Sequence, residues 1–218
     1  MEQGEAAGKD CDKGSVRKFV MPLNTLHDQG RKLLHPCVRL LAALNIHPVA
    51  ITVAGLLICL IAAWLAWAGH FWQAGLLFTM GSLFDALDGG VARLTGTASK
   101  AGAALDSSLD RIAEAALFIA LLAGSAVKHH PSLVYTASLA MVGSFMVSYV
   151  RARAEGLGIP CSVGLFTRME RLVVMIAALF LADMLGSVTL VLACVLVALG
   201  AWATALQRLF TIFRWKQA

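Results

Sequence analysis

Four aspartates, two glycines, an alanine and an arginine between Asp85 and Asp110 stand at the intervals D-x2-D-G-x2-A-R-x8-G-x3-D-x3-D, within DALDGGVARLTGTASKAGAALDSSLD. A helix turns about 100° per residue, so Asp85 and Asp88 project about 60° apart and Asp106 and Asp110 about 40° apart. Each pair then shares a helix face. The short connection, roughly 94–100, predicts antiparallel neighbours whose pairs face one another. Unneutralised, such a cluster repels itself, and even one Asp near the centre of a membrane span costs about 2.5–3.5 kcal/mol on insertion scales. Divalent cations remove that repulsion. Four carboxylates supply the hard oxygen ligands that suit Mg²⁺ or Mn²⁺, and they can bridge two ions with positions left for phosphate oxygens. Gly89, Gly90 and Gly102 permit close approach of a ligand or a neighbouring backbone, and Arg93 offers a planar cation for phosphate. The pattern predicts a metal-dependent site for a phosphorylated molecule. A transporter that couples ions through intramembrane acids is the competing class; it requires a polar path to the outer side, where the expected spans carry almost no charge. An assembly subunit would tolerate replacement of the aspartates.

The elements that must position these residues follow from composition. Of 218 residues, 59% are hydrophobic and only 14% are charged, against about a quarter in soluble domains. The expected fold is an all-α membrane protein with six transmembrane helices and an N-terminal amphipathic juxtamembrane helix, since helices satisfy their own backbone in lipid and the alternation of a barrel is absent. Spans are expected at about 49–68, 72–92, 101–126, 133–153, 172–184 and 187–213. Residues 1–45 form a cytoplasmic tail and a surface-lying segment over 23–44, and 46–218 form the six-helix domain, with no room for a separate soluble catalytic domain. Lys9, Lys13, Arg17, Lys18, Arg31 and Lys32 precede any apolar run, so no cleavable leader is expected. The net charge of +5 comes from basic residues at expected span ends, which topology explains without nucleic acid. Those residues gather on one side, so both termini and the aspartates are predicted to be cytoplasmic in a multi-pass protein of the cell membrane. The cysteines, Cys11, Cys37, Cys59, Cys161 and Cys194, are scattered and form no C-x2-C pair, which argues against a disulfide framework or a zinc site.

With every defining position of the Asp-Gly-Arg signature occupied, the chain resembles the CDP-alcohol phosphatidyltransferases, and the resemblance covers most of its length. It implies that Asp85, Asp88, Asp106 and Asp110 bind two divalent ions, Mg²⁺ or Mn²⁺, and that Asp110 doubles as the general base. It further implies a CDP site lined by Thr52, Asp88, Gly89, Ala92, Arg93 and Gly102, with CDP-diacylglycerol or a related CDP-lipid as the donor. PVAIT at the start of the first span is similar to the family's Pro-Asn-x-x-Thr, with Val49 in place of Asn. Homodimerisation is implied by the resemblance as well.

For the acceptor alcohol, SYVRARAEGLG after the fourth span, GLFTRMERL before the fifth and QRLF in the sixth resemble the inositol-phosphate-using branch. Ser148, Arg151, Arg153, Arg168, Arg171 and Arg208 would then hold the phosphate of a phosphorylated polyol, inositol 1-phosphate first, which a neutral acceptor would not need. Glycerol 3-phosphate and serine are the alternatives within the family. Arginines at cytoplasmic span ends are also expected from topology, where they meet membrane lipid head groups. Glu155 and Glu170 are expected to neutralise Arg153 and Arg171, and Glu114 to tune the aspartates or pair with Arg111.

Overall fold

Residues 36–44, 46–161 and 163–215 are described by the structure, a computed structural model. The expected tail over 1–20 and the first part of the surface segment lie outside the described residues. A helical segment over 36–43, α1, leads to six long helices: α2 (Pro48–Ala68), α3 (Phe71–Leu94), α4 (Lys100–Ala123), α5 (Ser132–Gly156), α6 (Arg168–Leu185) and α7 (Val188–Arg214). There is no strand among the described residues. Three of the helices, α2, α5 and α7, are long and apolar enough to cross a membrane. At 1.5 Å per residue the 24 residues each of α3 and α4 are also long enough, but their aspartates lower the apolar content.

Local chemistry sets the helix ends. Pro48 occupies the first turn of α2, where its missing N–H is not needed, and His47 caps the turn by accepting from Val49 N at 3.3 Å. Ser99 caps α4 by accepting from Gly102 N at 3.0 Å. The start of α3 is tied to the end of α6, because Trp72 N donates to Asp183 Oδ2 at 2.7 Å.

Each long helix packs on two others, and the pairs α2–α3, α3–α6, α6–α7, α7–α5, α5–α4 and α4–α2 close a ring. Ala62, Ala66, Phe78, Leu117, Phe118, Leu121, Leu179 and Val197 lie in its core. The ring corrects one expectation. α3 and α4 are not packed along their lengths despite the short loop between them; α2 lies against both. Small residues bring α2 close to α3. A methyl on Gly81 would collide with Cys59 Sγ and sit 2.9 Å from Gly55 O. Large apolar side chains such as Leu57, Ile61, Trp64, Leu139, Leu192 and Leu199 are exposed on the outer surface, as lipid contact demands.

The α1 segment is anchored rather than free. Val38 is buried with Ile51, Leu87 and Val91, and a side chain on Gly90 would meet Val38 at 2.8 Å. Close approach at Gly90 therefore serves α1, not a ligand. The remaining differences from the expected spans are at the ends. α6 begins at Arg168 instead of 172, and α4 stops at Ala123, with a 3₁₀ turn over Ser125–Lys128 where helix was expected to continue to 126.

Candidate active site

Alternating helix directions bring Thr52 of α2, the aspartates of α3 and α4, Ser148 to Glu155 of α5, Arg168 and Arg171 of α6 and Arg208 of α7 to one end of the ring. Asp85, Asp88 and Asp106 converge there. One carboxylate oxygen from each lies within 4.8 Å of the others, and an octahedral ion with ligands at about 2.0–2.1 Å spaces its oxygens about 3–4 Å apart. Small side-chain rotations would close the set on one ion. Asp106 Oδ1 is buried without a hydrogen-bond partner, a costly state for a carboxylate oxygen unless something else binds it. Hard oxygen donors, short mutual distances and an orphaned oxygen together fit Mg²⁺ or Mn²⁺. Asp88 is buried at 5% exposure and takes a hydrogen bond from Thr52 Oγ1 at 2.5 Å. Thr52 thereby orients an aspartate, in addition to standing where the resemblance puts the nucleotide.

Asp110 lies outside that converging set. Its Oδ1 is ion-paired to Arg168 Nη2, its Oδ2 lies 3.6 Å from Arg111 Nη1, and Arg168 Nη1 reaches Asp85 Oδ2 at 2.7 Å. One guanidinium thus links α3 to α4 across the cluster. Arg168 was expected in the acceptor site, and here it touches the aspartates as well.

A cleft of 810 Å³ adjoins the cluster between α4, α5, α6 and α7. Ser148, Arg151, Arg168, Arg171 and Arg208 line it, as does Arg111, which is not among the residues expected there. Arg153 does not line it; two residues beyond Arg151 on α5, it points roughly 200° away. Two ion-pair expectations are also corrected. Arg171, 1% exposed, is bound by Glu114 through Nε at 2.8 Å and Nη2 at 3.3 Å, while Glu170 accepts from the Thr167 hydroxyl. Glu155 pairs with Arg151 at 2.8 Å and not with Arg153. Arg208 is buried and donates to Val163 O at 2.8 Å and Val147 O at 2.6 Å. Arg171 and Arg208 are therefore largely engaged by the protein. Arg111 retains a buried Nη1 with no hydrogen-bond partner. The signal that would have found it is the stripe Ala104, Ser107, Ser108, Arg111 at helical i, i+3, i+4, i+7 spacing, all of it on the cleft wall.

Of the residues expected around CDP, Arg93 is exposed on the last turn of α3 beside Gly89. Ala92 is half-buried on the same turn, and Gly102 lies in the first turn of α4 under its Ser99 cap. None of them lines the arginine cleft. The aspartates therefore stand between two differently built surroundings.

Residues 45–208 match the model of the CDP-alcohol phosphatidyltransferase family. The chain belongs to this family. As a CDP-alcohol phosphatidyltransferase it is 34% identical over 190 residues to an archaetidylinositol phosphate synthase of Pyrococcus horikoshii, covering 86% of this chain and 95% of that protein. It is 36% identical over 188 residues to a phosphatidylinositol phosphate synthase of Corynebacterium glutamicum, covering 83% and 85%. The Mycobacterium tuberculosis phosphatidylinositol phosphate synthase solved with CDP-DAG bound superposes with a TM-score of 0.77 at 28% identity, over 86% of this chain and 99% of that one. The structure of that protein in complex with manganese and citrate gives 0.75 at 29% identity, over 84% and 92%. The signature aspartates thus belong to an enzyme of phosphatidyl transfer, and the class of ion-coupled transporters is set aside.

Proposed function

We propose that this CDP-alcohol phosphatidyltransferase moves the phosphatidyl group of CDP-diacylglycerol, or a related CDP-lipid, onto a phosphorylated polyol, inositol 1-phosphate, with release of CMP. The observation that carries the reading is the convergence of Asp85, Asp88 and Asp106, the last with an orphaned buried oxygen, beside an arginine-lined cleft of about 810 Å³. The neighbours named for inositol phosphate synthesis and for CDP-DAG and manganese support it.

Asp85, Asp88, Asp106 and Asp110 would hold two divalent ions, Mg²⁺ or Mn²⁺, which neutralise the diphosphate and the departing CMP. Thr52 fixes Asp88 in the orientation that this requires. Gly89, Ala92, Arg93 and Gly102 surround the CDP moiety, with Arg93 offering its fork to phosphate. On the other side of the aspartates, Arg111, Arg151 and Arg168 bind the acceptor's phosphate, while Arg171 and Arg208, engaged by Glu114 and by backbone carbonyls, hold the cleft wall in shape. Ser148 adds a hydroxyl to the wall. Asp110 takes the proton of the acceptor hydroxyl, whose oxygen bonds to the phosphorus that carries the lipid. The bond from that phosphorus to the CMP oxygen breaks, and CMP leaves with the electron pair.

In this reading all six long helices span the membrane within a domain of residues 46–218, and the site and both termini face the cytoplasm. The positive charge at one set of span ends supports that orientation. The α1 segment lies along the bilayer surface, in keeping with Val38, Leu41 and Ala42 at one-face spacing. The family resemblance supports a homodimer, which cross-linking in detergent tests.

A panel of labelled acceptors with one CDP-lipid tests the substrate. Incorporation from inositol 1-phosphate should exceed that from free inositol, glycerol 3-phosphate and serine. Preferential use of glycerol 3-phosphate would keep the arginine cleft and replace the polyol; preferential use of serine would refute the phosphate role of the arginines.

A further inference from the structure

Arg168 and Arg171 both line the two cavities of the site, but Arg171 is bound by Glu114, and Arg168 is the one of the two that reaches the aspartates. The two terminal nitrogens of Arg168 hold Asp85 on α3 and Asp110 on α4. It lines the small core cavity shared with Thr52, Asp85 and Asp110, and it also lines the 810 Å³ acceptor cleft, which contains none of the aspartates. It is the first residue of α6, directly after the connection that follows α5, and its side chain is 26% exposed. A guanidinium there faces both cavities from the end of a helix.

The two carboxylates it occupies belong to the proposed metal-binding signature. Asp85 is a member of the converging set, and Asp110 completes the signature. A divalent ion held by these carboxylates would be close to the guanidinium, and two cations near each other away from bulk water repel. Binding of one therefore disfavours binding of the other.

Resting on the proposed metal-dependent function, we infer that Arg168 is the stand-in cation of the unloaded site: divalent ions displace it from Asp85 and Asp110, and the displaced guanidinium becomes a phosphate ligand of the acceptor cleft. The metal thereby prepares the acceptor site, and by linkage an acceptor phosphate tightens metal binding by the same factor. A planar fork that spans two carboxylates and then one phosphate explains why arginine serves here where lysine would not. Arg168 also keeps the cluster from repelling itself before the metal arrives, so it acts as a positioning residue before it acts as a ligand.

The test is Mn²⁺ binding to the full-length chain in detergent, read from the loss of the free-ion electron paramagnetic resonance signal and independent of turnover. If the metal-competent state is populated about one-tenth of the time in the wild type, R168Q should bind Mn²⁺ about tenfold more tightly. Inorganic phosphate should tighten Mn²⁺ binding severalfold in the wild type and leave R168Q unchanged. R168K retains the charge and loses the fork, so its affinity should lie nearer to R168Q than to the wild type. This also separates displacement from a general charge effect and supplies a second variant should R168Q fold poorly. R168Q binding no more tightly than the wild type, R168K behaving as the wild type, or a phosphate effect that persists in R168Q would each overturn the inference while leaving the proposed function intact. A wild-type chain that binds no Mn²⁺ would overturn both.

Discussion

Thr52→Val keeps the side chain's shape and removes only its hydroxyl. That hydroxyl has a single proton, and two acceptors are within reach: Asp88 Oδ2 at 2.5 Å and Pro48 O at 3.1 Å. The shorter contact, to a carboxylate, takes it. Asp88 is 5% exposed, so little water can replace the lost donor. A hydrogen bond to a charged group is worth about 1.5–3 kcal/mol, and 1.4 kcal/mol is a factor of ten. The substitution should therefore raise the Mn²⁺ concentration for half-maximal activity about 10- to 100-fold, the range seen when a partner that orients a metal ligand is removed. CMP release measured across a Mn²⁺ titration gives the midpoint, and saturating metal should restore most of the rate. Thr52→Ser, which keeps the donor, should stay near the wild type. An unchanged midpoint in T52V, or an equal loss in T52S, would refute the assignment of Thr52 as the group that orients Asp88.

The other substitutions probe different parts of the site. Asp110→Asn should lower turnover by about 10²- to 10⁴-fold, the usual contribution of a general base, while retaining CDP-lipid binding in an equilibrium assay; retained turnover would exclude the base role. Arg171→Met leaves Glu114 without its partner and should destabilise the folded chain by about 3–5 kcal/mol, whereas Glu114→Leu with Arg171→Met should recover most of the loss in thermal unfolding in detergent. Arg111→Gln should raise KM for the phosphorylated acceptor by about tenfold or more with a smaller change in kcat. Arg153→Gln, on a residue outside the cleft, should leave that KM alone.

Much of this architecture was legible in the chain, and the failures have physical reasons. Apolar length located the long helices, and the interval pattern singled out the aspartates. The start of α6 was missed because Arg168, Glu170 and Arg171 depress the apolar signal, and Arg171 is nevertheless buried against Glu114 from another helix. Sequence neighbours misled the pairing of charges. Arg171 follows Glu170 directly and Arg153 stands two residues from Glu155, and side chains at those separations do not face each other on a helix; the i, i+4 pair Arg151–Glu155 does. A short loop between α3 and α4 suggested a packed pair, yet loop length does not say which helix fills the space between them, and α2 does so, with its Gly55 against Gly81 of α3. The double engagement of Arg168 had no sequence signal, because it depends on three helices meeting at one point.

The central claim is that the aspartates form a metal-dependent centre for phosphatidyl transfer to a phosphorylated polyol. It is tested most directly by following CMP and labelled lipid together, with purified full-length chain, CDP-diacylglycerol, inositol 1-phosphate and Mn²⁺. One CMP should form for each labelled lipid, with arrest by a chelator and recovery when Mn²⁺ or Mg²⁺ is restored. CMP release without labelled lipid, or lipid formation that continues after metal removal, would contradict it.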